Sequence, residues 1–242
     1  MNTSDSNRLV CIDSNALIHR AYHAFPKNLT TKDGELVNAV YGFCSLTLQI
    51  IKNLEPEYLV FAFDSKGATF RHEIYKEYKA TRKETDEELK MQFSTIKEVV
   101  HSMGMPLIEK PGYEADDIIG TLVKQSQFTK FEKIIVTGDK DLMQLINADI
   151  KVFLAGSSFS KSKLFDESNA IDKLGITPDK LIDYKGLRGD PSDNIPGVKG
   201  IGDKSAINLL DEFGTLENIY KCIDTVNKRY KKKLELDKDN AF

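Results

Sequence analysis

Short apolar runs separated by helix-like segments dominate the first two thirds of the chain. Leu9 to Ile12, Tyr58 to Phe63 and Lys133 to Val136 read as strands buried on both faces of a parallel sheet, and Ile150 to Leu154 is a weaker candidate. Val37 to Lys52 repeats apolar residues with a helical period, which predicts an amphipathic helix. Strands that alternate with helices predict a doubly wound α/β fold with a mostly parallel central sheet flanked by helices.

The pattern changes twice along the chain. Residues 70–90 are rich in charge and poor in aliphatic side chains, which fits either a solvated helix or loop, or an insertion that stands off the sheet and meets a ligand. After Ile171 the strand signals stop, and three helical segments predict a small all-helical annex. We therefore predict an α/β core over residues 1–170 and an annex over 171–242, with a charged tail that frays.

Composition places the chain among globular proteins but at first argues against a nucleic-acid partner. Of 242 residues, 40% are hydrophobic and 29% charged, and 34 Lys and Arg face 37 Asp and Glu, whereas nucleic-acid-binding domains are usually basic. No apolar run approaches the roughly 18 residues of a membrane span. The start, MNTSDSNRLV, lacks a signal-peptide core, and three scattered cysteines form neither a disulfide framework nor a zinc motif. We expect a cytoplasmic protein without membrane association.

Three predicted strands are each followed by an aspartate: Asp13 after LVCI, Asp64 after YLVFAF and Asp139 after KIIVTG. In an open α/β sheet, ligands bind beyond the carboxyl ends of the strands. Aspartate is also common there as a turn former or helix N-cap, and Asp13 before SNALIHR suits a cap. Three such coincidences favour a shared site.

Six further acids extend this set. Turn chemistry and the helix dipole explain one or two of them, but not three acids at one helix start. Nine carboxylates in one cleft would repel each other unless cations neutralised them, and oxygen ligands without His or Cys suit Mg²⁺ or Mn²⁺. So many acids fit two ions about 4 Å apart, an arrangement that cleaves phosphodiesters. The six are Glu114, Asp116, Asp117, Asp141, Asp190 and Asp193.

The sequence PGVKGIG at residues 196–202 predicts a glycine hairpin before a helix. Its glycines permit a tight turn whose N–H groups, with the helix N-terminus, form a phosphate seat that ignores base sequence, and Lys199 and Lys204 add charge. A ligand-free glycine-rich turn is the alternative.

The charged insertion interleaves basic and aromatic residues, a combination that suits single-stranded nucleic acid. A charged amphipathic helix without a ligand remains the alternative. The residues are Phe70, Arg71, Tyr75, Lys76, Tyr78, Lys79, Arg82 and Lys83.

Taken together, these motifs resemble the flap-endonuclease family, which includes the 5′-nuclease domain of bacterial DNA polymerase I. They occur in family order over residues 9–213: LVCIDSNALIHRAY, FAFDSKGATFRHEIYKEYKATR, GYEADD, TGDKDLMQL and GDPSDNIPGVKGIGDKSA. The resemblance implies a PIN or flap-nuclease-like fold with a helical arch at about residues 70–100 and a helix–three-turn–helix element at the hairpin. It also implies a 5′→3′ exonuclease and 5′-flap endonuclease that acts in Okazaki fragment processing and DNA repair.

The resemblance assigns roles residue by residue. Asp64, Glu114 and Asp116 would hold a first metal ion, with Asp13 acting through water. Asp139, Asp141 and Asp193 would hold a second, with Asp117 and Asp190 in support. Lys79 and Arg82 would contact the scissile phosphate, and Arg71 matches another basic position. The DNA-binding residues would be Tyr78, Gly197, Val198, Lys199, Gly200, Ile201, Gly202 and Lys204, and K⁺ would bind hairpin carbonyls.

The implied partners are DNA with a 5′ flap, nick or 5′ end and RNA-primed DNA, bound by a monomer. No polymerase domain follows in this sequence, so we expect a stand-alone nuclease or an excised piece. A non-catalytic branched-DNA-binding module and a ribonuclease acting on free RNA remain alternatives. The charge balance also changes meaning, because setting aside the nine acids leaves 28 acids against 34 bases.

Overall fold

The structure, a computed structural model, describes residues 7–241 except for the side chain of Ser126. The chain divides into two compact units. The first comprises the residues up to Thr69 together with Glu84–Glu167, and the second comprises Phe70–Lys83 together with the residues from Ser168 onward. The charged insertion therefore groups with the helical annex.

The first unit is built on a six-stranded sheet with strand order β3-β2-β1-β4-β5-β6, in which only β6 is antiparallel to its neighbour. This confirms the predicted, mostly parallel α/β layer. Asp13 pairs with Ala62, and Ile12 pairs with Val136, so the carboxyl ends of the central strands lie level at one edge. The strands are β1 Arg8–Asp13, β2 Tyr58–Phe63, β3 Leu107–Glu109, β4 Glu132–Thr137, β5 Ile150–Leu154 and β6 Lys163–Phe165.

Helices and short turns cover this sheet and connect its strands. The predicted amphipathic helix is present as α2, Asn38–Leu54, which buries Phe43 and Ile50. Its C-cap residue, Glu55, has a left-handed backbone (φ 44°). The helices of this unit are α1 Ser14–Ala24, α2 Asn38–Leu54, α4 Glu87–Ser102 and α5 Ala115–Lys124. Its 3₁₀ turns are Ser126–Phe128, Asp141–Leu145 and Phe159–Lys161.

Helix α4 limits how much of the charged segment leaves the core. Leu89, Ile96 and Val100 are buried in the core of the first unit, and the Gln92 amide accepts a hydrogen bond from Ala39 N (2.8 Å). Residues 87–100 of the expected arch are therefore a core helix, because the apolar spacing that begins at Leu89 continues through the helix. The part outside this core is the shorter segment 70–83, which begins with helix α3 Phe70–Ile74.

The second unit is all-helical beyond residue 167, as predicted. Its core contains Leu187, Val198, Leu210 and Ile219. We expected the charged tail to fray, but it forms helix α10, Lys228–Leu236. This helix buries Leu234 completely, and the Tyr220 hydroxyl donates to the Leu234 carbonyl (3.1 Å). The elements are α6 Ala170–Leu174, a 3₁₀ turn Pro178–Lys180, α7 Leu181–Arg188, α8 Asp203–Phe213, α9 Leu216–Lys221, α10 Lys228–Leu236 and α11 Lys238–Ala241. Across residues 7–241, no helix is both long and apolar enough to cross a membrane.

The placement of the cysteines gives a test of this fold. Burial raises the pKa of Cys11, in the middle of β1, to about 12, and it also raises the pKa of the half-buried Cys44, whereas Cys222 is exposed. At pH 8 only about one Cys11 thiol in ten thousand is then a thiolate, the reactive form. We expect Ellman's reagent to modify one thiol quickly in the native protein and three after denaturation. Cys222→Ser should remove the fast phase, and rapid native modification of Cys11 would contradict the predicted core.

Candidate active site

Asp13 links the sheet to helix α1 and is only 4% exposed. One carboxylate oxygen, Oδ1, accepts from Ala16 N (3.1 Å) and caps the helix. The other, Oδ2, accepts from the hydroxyl of Thr137 at the end of β4 (2.6 Å). The capping role considered for Asp13 is therefore real, and it also fixes the carboxylate at the sheet edge.

A chain of hydrogen bonds continues from Thr137 to the acids after β4. The Thr137 hydroxyl accepts from Asp139 N (2.9 Å), and Asp139 Oδ1 accepts from Asp141 N (2.9 Å). Asp141 then begins the 3₁₀ turn Asp141–Leu145. The structure thus brings Asp13, Asp139 and Asp141 into one network.

Asp64 and the start of helix α5 form the other side of this edge. Asp64 N donates to Asn15 Oδ1 (3.1 Å), and Asp64 Oδ1 accepts from Ala115 N, the first residue of α5 (2.7 Å). Glu114 precedes the helix, and its N–H donates to Asp117 Oδ2 (2.9 Å), as in a capping box. Asp116 lies in the same first turn. Seven predicted metal ligands therefore belong to elements that meet at one edge of the first unit.

The electrostatics of this edge fit a bound cation. The pKa of Asp13 is raised to about 6, chiefly by burial and in smaller part by the negative charges of Asp64 and Asp139, while the hydrogen bonds from Thr137 and Ala16 lower it. Carboxylates close enough to raise one another's pKa are stabilised by a divalent ion between them. Because the donor atoms are all oxygen, the residues present fit Mg²⁺ or Mn²⁺.

Asp190 lies in the second unit, in a loop closed by an isolated bridge to Ile195, and is 8% exposed. Lys185 Nζ donates to its Oδ2 (2.6 Å), and the Ser192 hydroxyl donates to Oδ1 (2.6 Å). Burial raises the pKa of Asp190, but these hydrogen bonds outweigh it and hold the pKa below its usual value. Asp190 is therefore held as a carboxylate by an internal cation.

Asp193, in the same loop, contacts the charged segment 70–83. Arg82 Nη2 lies 2.5 Å from Asp193 Oδ1, and the Tyr78 hydroxyl donates to Oδ2 (3.2 Å). Tyr78 is only 7% exposed and its ring meets His72 edge-on, so neither ring face is presented for base stacking in this conformation. The Lys79 ammonium lies 4.8 Å from the centre of the Tyr78 ring. The guanidinium of Arg71 lies 4.7 Å from the ring of Phe70.

The glycine hairpin is anchored by its apolar residues, and its exposed residues include Lys199, Gly200 and Gly202. Val198 and Ile201 are buried in the helical core, and Gly202 caps helix α8. Helix α10 and its C-cap supply two polar contacts to this turn. Lys233 Nζ donates to the Gly200 carbonyl (2.6 Å), and Lys199 N donates to Asp237 Oδ2 (3.0 Å). Lys204 follows in the first turn of α8.

Several residues at these sites gave no sequence signal. Thr137, Asn15, Lys185 and Asn194 act through hydrogen bonds to partners that only the fold supplies. Arg20 on α1 is a further case, because its Nη2 contacts the Gly138 carbonyl (3.3 Å) while its buried Nε has no hydrogen-bond partner among the described residues. A cavity of about 340 Å³ adjoins it, lined by His19, Arg20, His23, Ala24 and Ser157. A helical period from Asp13 would have placed Arg20 on the side of α1 that faces this edge.

Two family models cover the chain. Residues 8–175 match the model described as 5′-3′ exonuclease, N-terminal resolvase-like domain, and residues 176–242 match 5′-3′ exonuclease, C-terminal SAM fold. The chain therefore belongs to the 5′-3′ exonuclease family, a family of nucleases.

The curated relatives are longer proteins. DNA polymerase I of Caldicellulosiruptor bescii is 41% identical over 237 residues, which are 97% of this chain and 28% of that protein. DNA polymerase I of Bacillus subtilis is 40% identical over 240 residues, which are 99% of this chain and 27% of that protein. The chain thus spans little more than a quarter of the length of these relatives.

Solved structures share the fold at lower identity. The T5 5′-exonuclease with bound zinc ions has a TM-score of 0.77 at 23% identity, over 98% of this chain and 87% of that one. The catalytic core of Rad2 in complex with a DNA substrate has a TM-score of 0.60 at 19% identity, over 98% and 72%. These likenesses establish the same fold, a mixed α/β layer with a C-terminal SAM-like helical domain.

Two glycines of the hairpin make different demands on the fold. Gly197 has φ 60°, and a Cβ there would lie 2.2 Å from Gly189 N, whereas Gly202 has φ −106° and open space around a Cβ. We expect Gly197→Ala to lower the free energy of unfolding by about 2 kcal/mol or more, since it adds a left-handed Ala and a backbone clash. Gly202→Ala, the matched control, should change it by less than about 0.5 kcal/mol. Urea denaturation measures both, and equal stabilities would contradict the described turn.

Proposed function

We propose that this chain is a divalent-metal-dependent 5′→3′ exonuclease and 5′-flap endonuclease that hydrolyses phosphodiester bonds in DNA. The observation that carries the proposal is the meeting of Asp13, Asp64 and Asp139 at one sheet edge, in a chain of the 5′-3′ exonuclease family. If each aspartate served only as a helix cap or turn former, the three carboxylates would have no reason to lie close together. Convergence of charge without use would only destabilise the fold.

Mg²⁺ or Mn²⁺ would be held in two sets of ligands. Asp64, Glu114 and Asp116 hold one ion, with Asp13 acting through water. Asp139, Asp141 and Asp193 would hold the other, with Asp117 and Asp190 in support. When bound, a pair of such ions activates a water and stabilises the leaving oxygen of a phosphodiester.

Basic side chains of this chain would interact with the substrate phosphate. Lys79 and Arg82 offset the charge that develops on it, and Arg71 adds to the local positive field. At the hairpin, residues 196–202, the exposed backbone of Gly200 and Gly202, together with the side chains of Lys199 and Lys204, would grip duplex phosphates without reading bases. K⁺ on hairpin carbonyls is part of this proposal, and Lys233 already places an ammonium on the Gly200 carbonyl.

The substrates we propose are DNA with a 5′ flap, nick or 5′ end, and RNA-primed DNA. Support comes from the relatives, which are DNA polymerases, and from the T5 flap endonuclease, whose structure is a pseudo-enzyme–product complex with DNA and metal ions. The role is Okazaki fragment processing and repair, by a monomer in the bacterial cytoplasm.

Asp139→Asn tests the metal assignment. Loss of one carboxylate at the sheet edge should abolish cleavage of a labelled 5′-flap duplex in Mg²⁺, because a neutral amide is a poor ligand for a hard cation. Binding of the same duplex should largely survive, since phosphate contacts lie elsewhere. Asp172→Asn, at an exposed position of α6, is the charge-matched control and should cleave normally.

Three outcomes of this assay would count against the proposal. Normal turnover by Asp139→Asn would overturn the metal assignment. Duplex binding without cleavage by the unaltered chain in Mg²⁺ would instead favour the non-catalytic branched-DNA-binding module. Faster cleavage of unpaired RNA than of the flap duplex would favour a ribonuclease.

Gly202→Ala tests the hairpin. The free protein has room for a methyl group at this position. A duplex phosphate bound against the backbone would collide with that methyl group. We expect an unchanged unfolding transition and roughly tenfold weaker binding of the 5′-flap duplex, the loss that about 1.4 kcal/mol produces. Fluorescence anisotropy in Ca²⁺ without Mg²⁺ measures the affinity, and an affinity equal to that of the unaltered chain would place the duplex elsewhere.

A further inference from the structure

The segment 75–82 lies against the loop 192–194 of the second unit, and six hydrogen bonds join them. Two involve the Arg82 guanidinium, which donates from Nε to the Ser192 carbonyl (3.1 Å) and from Nη2 to Asp193 Oδ1 (2.5 Å). A third is the bond from the Tyr78 hydroxyl to Asp193 Oδ2 (3.2 Å). Both carboxylate oxygens of Asp193, a proposed metal ligand, therefore already accept hydrogen bonds from this segment.

The other three bonds do not involve the Arg82 side chain. Lys79 N donates to the Asp193 carbonyl (3.0 Å), Asn194 Nδ2 donates to the Glu77 carbonyl (2.7 Å), and the Tyr75 hydroxyl donates to the Asn194 carbonyl (3.1 Å). Lys79 and Asn194 both have left-handed backbones, with φ 56° and 60°. Such conformations persist in non-glycine residues when surrounding bonds over-determine them. The segment is thus held in place even if the Arg82 ion pair is broken.

The ion pair itself is well placed for exchange. The Arg82 side chain is 50% exposed, whereas that of Asp193 is 19% exposed. Water therefore reaches the guanidinium more readily than it reaches the carboxylate. A guanidinium has donors only and cannot share a carboxylate oxygen with a divalent cation without direct charge repulsion.

We propose that Asp193 has two alternative cationic partners, Arg82 and a divalent metal ion, so that metal binding at Asp193 frees the Arg82 guanidinium for a substrate phosphate. This inference rests on the proposed function, in which Asp193 is a metal ligand and Arg82 contacts the phosphate. Without metal, Arg82 neutralises a carboxylate that would otherwise be partly buried and unpaired. With metal, the guanidinium regains the N–H groups that bind a phosphate in bidentate fashion, while the backbone bonds keep it nearby.

Mn²⁺ binding to the whole chain, measured by calorimetry without DNA, tests the exchange. Arg82→Gln removes the competitor and should tighten binding about two- to fivefold, the range for a partly exposed ion pair. Lys83→Gln removes the same charge at the next, exposed position and should have a smaller effect, because an exposed charge is screened by salt. In the Asp193→Asn background, Arg82→Gln should no longer tighten binding, as expected for coupled sites. Equal gains in both backgrounds, or no gain over Lys83→Gln, would overturn the inference.

The unaltered protein provides a second readout that needs no variant. Phenylglyoxal modification of Arg82, mapped by mass spectrometry, should become about two- to fivefold faster when saturating Mn²⁺ breaks the ion pair. Arg229, an exposed residue of α10, serves as the internal reference. An unchanged or slower rate at Arg82 would overturn the exchange. Absence of any Mn²⁺ binding by the unaltered chain would overturn the proposed function instead, so the two failures are distinguishable.

Discussion

The main constraint on the first unit is the repulsion among the carboxylates at its sheet edge, which the fold has to offset. A parallel sheet with β2, β1 and β4 side by side delivers the residues after these strands to one edge, so Asp13, Asp64 and Asp139 meet. The fold holds them there by giving each a hydrogen-bonding task. Asp13 caps α1, Asp64 accepts a hydrogen bond from the first N–H of α5, and Asp139 accepts one from Asp141 N. Backbone N–H donors therefore offset part of the repulsion and hold the three carboxylates at this edge.

The second unit solves the same problem differently. Its two proposed ligands, Asp190 and Asp193, each face an internal cation, Lys185 and Arg82 respectively. A cation partner balances the charge of each carboxylate, and a metal ion at the same carboxylate would compete with it. The near-neutral composition of the chain therefore combines clustered acids with a basic remainder, and the total charge conceals this division.

Sequence pattern alone predicts β1, β2, β4, β5, helix α2 and the shared edge of the three aspartates, because the periodicity of apolar residues is a local property. It misses β3 and β6, which have only three residues each. It does not predict contacts between distant residues. Thr137 and Asp13 are 124 positions apart, and Arg82 and Asp193 are 111 apart. For the same reason, the charged tail gave no sign that Leu234 would be buried. The predicted arch at about residues 70–100 is longer than the segment outside the core, because residues 84–90 are mostly charged although the apolar spacing of α4 begins at Leu89.

Capping and metal binding, which the sequence presents as alternatives, are compatible at one residue. Asp13 Oδ1 accepts a hydrogen bond from Ala16 N, and Oδ2 accepts one from the Thr137 hydroxyl. Asp64, by contrast, commits Oδ1 to Ala115 N and is less buried than Asp13. The two donors on Asp13 are a helix N–H and a buried hydroxyl, both fixed by the fold, whereas Asp193 pairs with a half-exposed guanidinium that can leave, so the water-mediated role is proposed for Asp13 alone.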